Sequence, residues 1–250
     1  MDSAELNWRA EEACMNAWPS PKQIVLGKWL LRLSGGTTRR TNTVNPLRGC
    51  DFDPAPVMDA CADIYAANGL PLIFRVPAFA KGMDEKLNAQ GFAAYDETLT
   101  LFADFAGALF EADKEVELAK QPSEDFFALR AIVNNNDEAA DRIYRAMTDL
   151  IALPKAFVGL RAEGKLVSIA YGAIHRNMLV VESVGTAQDR RNQGFSRRVL
   201  GTLMHWAKAN GATGACLQVL AANAPAIALY RRLGFTTDLY RYHYSRRDGG

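Results

Sequence analysis

The residues best placed to do chemistry are Arg191-Asn192-Gln193-Gly194-Phe195-Ser196. A valine-rich run ending in Val184-Gly185-Thr186 precedes them, and an amphipathic pattern from Ser196 to about Lys208 follows. A glycine turn entering a helix leaves backbone N–H groups without intrahelical acceptors, and the helix dipole adds positive potential there. Such a turn holds phosphate oxygens. Arg191 supplies a fixed charge beside it. Arg190 and Arg197 flank it, either as further phosphate contacts or as solvated charges. The expected ligand group is a pyrophosphate. The spacing is neither Gly-x-x-x-x-Gly-Lys-Ser/Thr nor Gly-x-Gly-x-x-Gly, so the common nucleotide fingerprints do not apply.

A second element lies downstream. Asn223 to Phe235 reads as a short helix, with Asn223 as N-cap, Pro225 in the first turn and Gly234 at the C-terminal end. Ala226, Leu229, Tyr230 and Leu233 fall on one face. Glu182 is a lone carboxylate in the valine-rich run. It shares a face with Val180, Val184 and Thr186 if no bulge intervenes. Burying a carboxylate costs free energy unless it is paired, so Glu182 reads as a base or as one half of a salt bridge.

Taken as a pair, Arg-x-x-Gly-x-small and Asn-x-x-Ala-x-x-Leu-Tyr-x-x-Leu-Gly-Phe resemble the GNAT N-acyltransferases over roughly residues 177–246. One departure is Ser196, where the family usually has Gly or Ala; serine is still small. The resemblance implies acetyl-CoA or another acyl-CoA as donor, with its pyrophosphate on residues 191–196. It implies coenzyme contacts from Val184, Gly185, Thr186, Arg191, Asn192, Gln193, Gly194, Phe195, Ser196, Arg197, Asn223 and Tyr230. Tyr230 takes the position of the family's general acid; the alternative is a core tyrosine. Asn223 combines an N-cap with a contact to the coenzyme arm, and Glu182 is the candidate base. His175 and His205 are weaker bases. His243 lies among the tyrosines of the last strand pattern. The resemblance also implies that the strands 178–186 and 215–219 splay apart, freeing backbone groups at Val184 and Thr186 for the coenzyme arm.

The elements that would position these residues alternate in an α/β order. Helices are expected from Ser123 to Asn134 and Asp137 to Leu150. Phe126, Phe127, Leu129, Ile132 and Val133 form the apolar set of the first. Strands 155–161 and 166–174 form a hairpin about Glu163-Gly164. The N-terminal half repeats the plan faintly. Val76 stands fifteen residues before Gly91 as Val219 stands fifteen before Gly234, each glycine followed by Phe. In that register Ala80 replaces Asn223 and Leu87 replaces Tyr230; laying Gly69 on Gly211 puts Gly49-Cys50-Asp51-Phe52-Asp53-Pro54 where the phosphate turn is. Its aspartates would repel a pyrophosphate. The expectation is two GNAT-like units, each a mixed, mostly antiparallel sheet flanked by helices. Residues 1–110 are the degenerate unit, 111–122 a linker, and 123–250 the catalytic domain. Trp29 to Thr43 reads as a tight hairpin whose Arg32, Arg39 and Arg40 are exposed; the alternative is that they contribute to the acceptor cleft, if the N-terminal half covers it.

Composition bounds the remaining choices. A formal charge of +1 over 250 residues leaves no basic stripe for nucleic acid. No apolar run approaches a membrane span, and the polar start, Met1 to Glu5, lacks a signal-peptide layout. Cys14, Cys50, Cys61 and Cys216 are scattered, without metal-ligand spacing, and read as buried thiols. Composition thus suggests a cytoplasmic protein that requires no metal, and the resemblance implies an N-acetyltransferase that uses acetyl-CoA and acts on a small-molecule or peptide amine. A catalytically silent acyl-CoA-binding regulatory module is the alternative. A monomer is expected, because paired internal units occupy an interface; a homodimer is the alternative.

Overall fold

In the computed structural model, which describes residues 2–36 and 38–247, the strands join one mixed sheet of eleven. Met1, Thr37 and residues 248–250, which fall within the sequence segments above, lie outside the described residues. The chain runs through α1 (Ser3–Ala17), β1 (Lys22–Leu26), β2 (Trp29–Leu33), β3 (Val44–Pro46), α2 (Met58–Ala67), β4 (Ile73–Pro77), α3 (Met83–Ala89) and β5 (Phe92–Asp104). It continues through β6 (Val116–Ala119), α4 (Glu124–Asn134), α5 (Glu138–Asp149), β7 (Lys155–Ala162), β8 (Lys165–His175) and β9 (Met178–Thr186). Then come α6 (Phe195–Ala209), β10 (Gly214–Leu220), α7 (Ala224–Arg232) and β11 (Thr237–Arg247).

The strand order is β1-β2-β3-β4-β11-β5-β10-β9-β8-β7-β6. Both halves follow one succession: three antiparallel strands, a helix, a strand, a helix, a last strand. In each, the third and fourth strands pair in parallel, β3 with β4 and β9 with β10. The last strands are exchanged. β11 lies between β4 and β5, and β5 lies between β11 and β10. Within 111–122, β6 adds an edge strand to β7.

Local chemistry explains the element ends. Ser123 Oγ, Asp137 Oδ1 and Asn223 Oδ1 accept from the N–H groups of Phe126, Ala140 and Ala226, capping α4, α5 and α7. Glu163 and Gly164 both take positive φ, the requirement of a two-residue hairpin turn. α1, α4 and α5 cover one face of the second unit's sheet, and α6 covers the other. α1 approaches closely because it buries small side chains: Ala10, Ala13, Cys14 and Ala17. No helix among the described residues is long and apolar enough to cross a membrane.

Candidate active site

The site is built where two parallel strands part. β9 and β10 pair only at Met178–Gly214, Leu179–Ala215 and Val180–Cys216. Beyond that point β9 runs on to Thr186 and β10 to Leu220 without pairing each other. A bulge helps to separate them. Tyr171 pairs with Glu182 but Ile169 pairs with Gly185, so Ser183 and Val184 together oppose Ala170. Ser183 has φ of +52°, a conformation that costs a non-glycine residue about 1–3 kcal/mol. Tyr144 of α5 donates a hydrogen bond to its Oγ at 3.0 Å. The bulge corrects the expected facing. Glu182 keeps the face of Val180 toward α1, whereas Val184 turns to pack with Leu179 and Val181 on the α6 side.

At the open end of β9 lies the turn from Arg191 to Ser196. A 3-10 turn spans Gln188–Arg190, Asn192 has φ of +62°, and Gly194 has φ of +81°. α6 begins at Phe195 with no side-chain cap. The first N–H of the helix to find an acceptor is that of Arg198, bonded to Gly194 O at 3.2 Å. Among the described residues the N–H groups of Phe195, Ser196 and Arg197 have none, so the helix start suits an anion. Ser196 Oγ lies 2.6 Å from Thr186 Oγ1, which lies 2.9 Å from Ser168 Oγ; this chain ties the turn to β9 and β8. Arg190 is held by Glu163 of the hairpin at 2.7 Å, and Arg198 by Asp113 and Glu115. Arg191 and Arg197 are exposed and have no ion-pair partner among the described residues. With Asn192, Gln193 and Gly194 they present donors without competing carboxylates.

Glu182 is buried, 6% exposed, and its partner comes from the other unit. Arg40 Nη1 and Nη2 donate to Glu182 Oε1 and Oε2 at 2.7 and 2.8 Å. Nη1 also donates to Gln218 Oε1 of β10 at 3.1 Å, so one guanidinium bridges β9 and β10 where they separate. Burial disfavours the charged Arg40, but the charge and hydrogen bonds of Glu182 outweigh it and raise its pKa. The network continues through Tyr242, which donates to Gln218, and through Tyr240, which donates to Glu11 of α1, itself paired with Arg75 of β4. The expectation of an exposed, tight hairpin holds for Arg39 alone, which is 48% exposed. β2 ends at Leu33 and β3 begins only at Val44, so the connection between them is not a tight turn, and Arg32 is 2% exposed. Asn42 folds this connection inward. Its Oδ1 accepts from Ser34 N and Gly35 N at 2.8 and 2.9 Å, and its Nδ2 donates to Gly36 O at 2.8 Å.

Tyr230 packs in the α6-side core at 8% exposure, its ring 6.0 Å from that of Phe235. Its hydroxyl has no hydrogen-bond partner among the described residues. Burial, then the charge of Glu182, raises its pKa above the ordinary 10, so it carries its proton. The histidines are engaged elsewhere: His205 Nδ1 lies 2.7 Å from Phe110 O, His243 pairs with Asp84, and His175 Nδ1 lies 3.3 Å from Asn16 Nδ2. The four cysteines are buried and free. The sequence offers Arg40 to the cleft only in the alternative where the N-terminal half covers it, and nothing in its local pattern marks Glu182, 142 residues further on, as its partner.

A family model described as "Probable histone acetyltransferase Rv0428c C-terminal" matches residues 7–245. The chain belongs to this family, and it is an acetyltransferase of the GNAT type. It is 24% identical over 245 residues to the "Uncharacterized N-acetyltransferase YobR" of Bacillus subtilis (strain 168), covering 94% of this chain and 96% of that protein. A GCN5-related N-acetyltransferase from Kribbella flavida superposes with a TM-score of 0.69 at 20% identity, over 99% of this chain and 96% of that one. A tandem GNAT protein from the clavulanic acid biosynthesis pathway gives 0.66 at 12% identity, over 97% and 88%. A shorter match, 31% identical over 91 residues, is to the [ribosomal protein bS18]-alanine N-acetyltransferase of Escherichia coli, covering 36% of this chain and 62% of that protein.

Proposed function

We propose that this chain moves an acetyl group from acetyl-CoA to a primary amine by direct attack in a ternary complex. The parting of β9 and β10, with uncapped N–H groups at the same end, is the observation that carries the reading. The turn Arg191 to Arg197 would hold the pyrophosphate. Val184, Gly185 and Thr186 would offer backbone groups to the pantetheine arm, and Asn223 would add a contact from the start of α7. The thioester supplies an activated acyl carbon. A backbone N–H near Val184 polarises its carbonyl. Glu182 takes the proton that the amine loses as the C–N bond forms and passes it to solvent. Tyr230 gives its proton to the thiolate as the C–S bond breaks and is reprotonated from water.

The chemistry is assigned to 123–250. Residues 1–110, a degenerate unit that does not bind the coenzyme, contribute Arg40, which fixes Glu182. The acceptor is a small-molecule or peptide amine, a class in keeping with the alanine amine in the name of the bS18 relative.

The experiment is calorimetric titration of coenzyme A, followed by assay of thiol release with a panel of amines in native protein and Tyr230→Phe. Binding that survives in the variant, with kcat lowered about 10²- to 10⁴-fold, is expected. Binding without turnover in the native chain would make this a silent acyl-CoA module. Undiminished turnover in the variant would remove Tyr230 from the mechanism.

A further inference from the structure

α4 buries a charge that its apolar pattern does not call for. Ile132, expected inside, is 73% exposed, whereas Arg130 is 6% exposed. The Arg130 guanidinium lies over the Tyr144 ring, 3.6 Å from its centroid. Its Nε and Nη1 are buried and have no hydrogen-bond partner among the described residues. Asp141 of α5 acts on it electrostatically but makes its ion pair with Arg145, at 2.7 Å. A second donor is in the same condition: Trp18 Nε1, on a side chain 4% exposed, has no acceptor. Both residues line one small, open-mouthed cavity, whose far wall is Ser34, Thr38 and Thr41 of the connection between β2 and β3.

A buried cation whose N–H groups make neither an ion pair nor a hydrogen bond is costly, even with the Asp141 carboxylate, its Oδ1 also unpartnered, nearby. An anion in this cavity would remove the cost, and the planar fork of arginine matches a carboxylate, with the indole N–H as a further donor. The cavity also adjoins the reaction site. Tyr144, beneath the guanidinium, donates to Ser183 at the bulge beside Glu182, and the connection that forms the far wall also carries Arg40. We propose that Arg130, aided by Trp18 Nε1, binds a carboxylate on the acceptor, so that the acceptor is an amine that also carries a carboxylate. This rests on the acetyl-transfer reading above.

The test compares native protein with Arg130→Met and Arg130→Lys, using acetyl-CoA and matched acceptors: glycine, β-alanine and γ-aminobutyrate against their amides. The native chain should favour the carboxylates. Arg130→Met should raise KM for them by about 10- to 100-fold, with coenzyme A affinity and kcat retained, and Arg130→Lys should restore part of the loss. Arg130→Met should melt no lower than the native chain, because an unpaired buried charge has gone. Tryptophan fluorescence should respond to the carboxylates and not the amides, and Trp18→Phe should abolish the response. That readout decides the matter if no member of the panel turns over. Equal behaviour of carboxylates and amides in both readouts, or a lower melting point with unchanged KM, overturns the proposal. Failure of coenzyme A to bind overturns the acetyl-transfer reading instead.

Discussion

Replacing Arg40 with Met tests whether the two units meet in a functional ion pair. Arg40 is the bidentate partner of Glu182, and the two side chains are 19% and 6% exposed. Removing one member of a buried pair strands the other and costs about 3–5 kcal/mol. Because Arg40 keeps some solvent contact, the lower end, about 3 kcal/mol, is expected. In a chain of this size each kcal/mol shifts Tm by about 2–4 °C, so the fall should be about 6–12 °C. Glu182→Gln in the Arg40→Met background removes the stranded charge and should recover most of this. The double-mutant cycle should give a coupling of about 3 kcal/mol. Urea denaturation of the four proteins measures all of this. A coupling below about 0.5 kcal/mol would refute the argument.

Two further outcomes follow from the site. Gly194→Val places a β-branched residue at φ of +81°, costs about 1–2 kcal/mol locally, and should weaken coenzyme A binding by at least about tenfold while leaving the circular dichroism spectrum unchanged. Native affinity in that variant would mean the turn does not hold the coenzyme. Tyr230 is held above its ordinary pKa by burial and then by the charge of Glu182, so its proton is retained as pH rises. The kcat profile should therefore show no Tyr230-dependent alkaline loss below about pH 10; a limb near pH 9 that disappears in Tyr230→Phe would contradict this.

The turn at 191–196 and α7 are legible because each is specified locally. Gly194 answers a positive φ, Asn223 caps the helix it begins, and Glu163-Gly164 satisfies a turn that needs two positive φ angles. The repeat of Val-to-Gly spacing also pointed to two units of one plan. α1 carried no such mark, because the residues it buries are small and its Glu11 reads as a surface charge. The face of Val184 turned on a condition the sequence left open, the absence of a bulge. One extra residue in a strand inverts every later side chain, and nothing in Glu182-Ser183-Val184 announces the bulge. α4 was read from hydrophobicity alone, which put Ile132 inside and left Arg130 unremarked.

The sequence by itself determined the class of fold, the turn at 191–196, and the helix that carries Tyr230, since caps, glycines and periodicity act over a few residues. Tertiary structure alone decided what surrounds Glu182. The exchange of β5 and β11 locks the units together, and the connection 34–43 then brings Arg40 across the parting strands. Ion pairs between distant segments depend on where whole layers come to rest, and no local propensity encodes that.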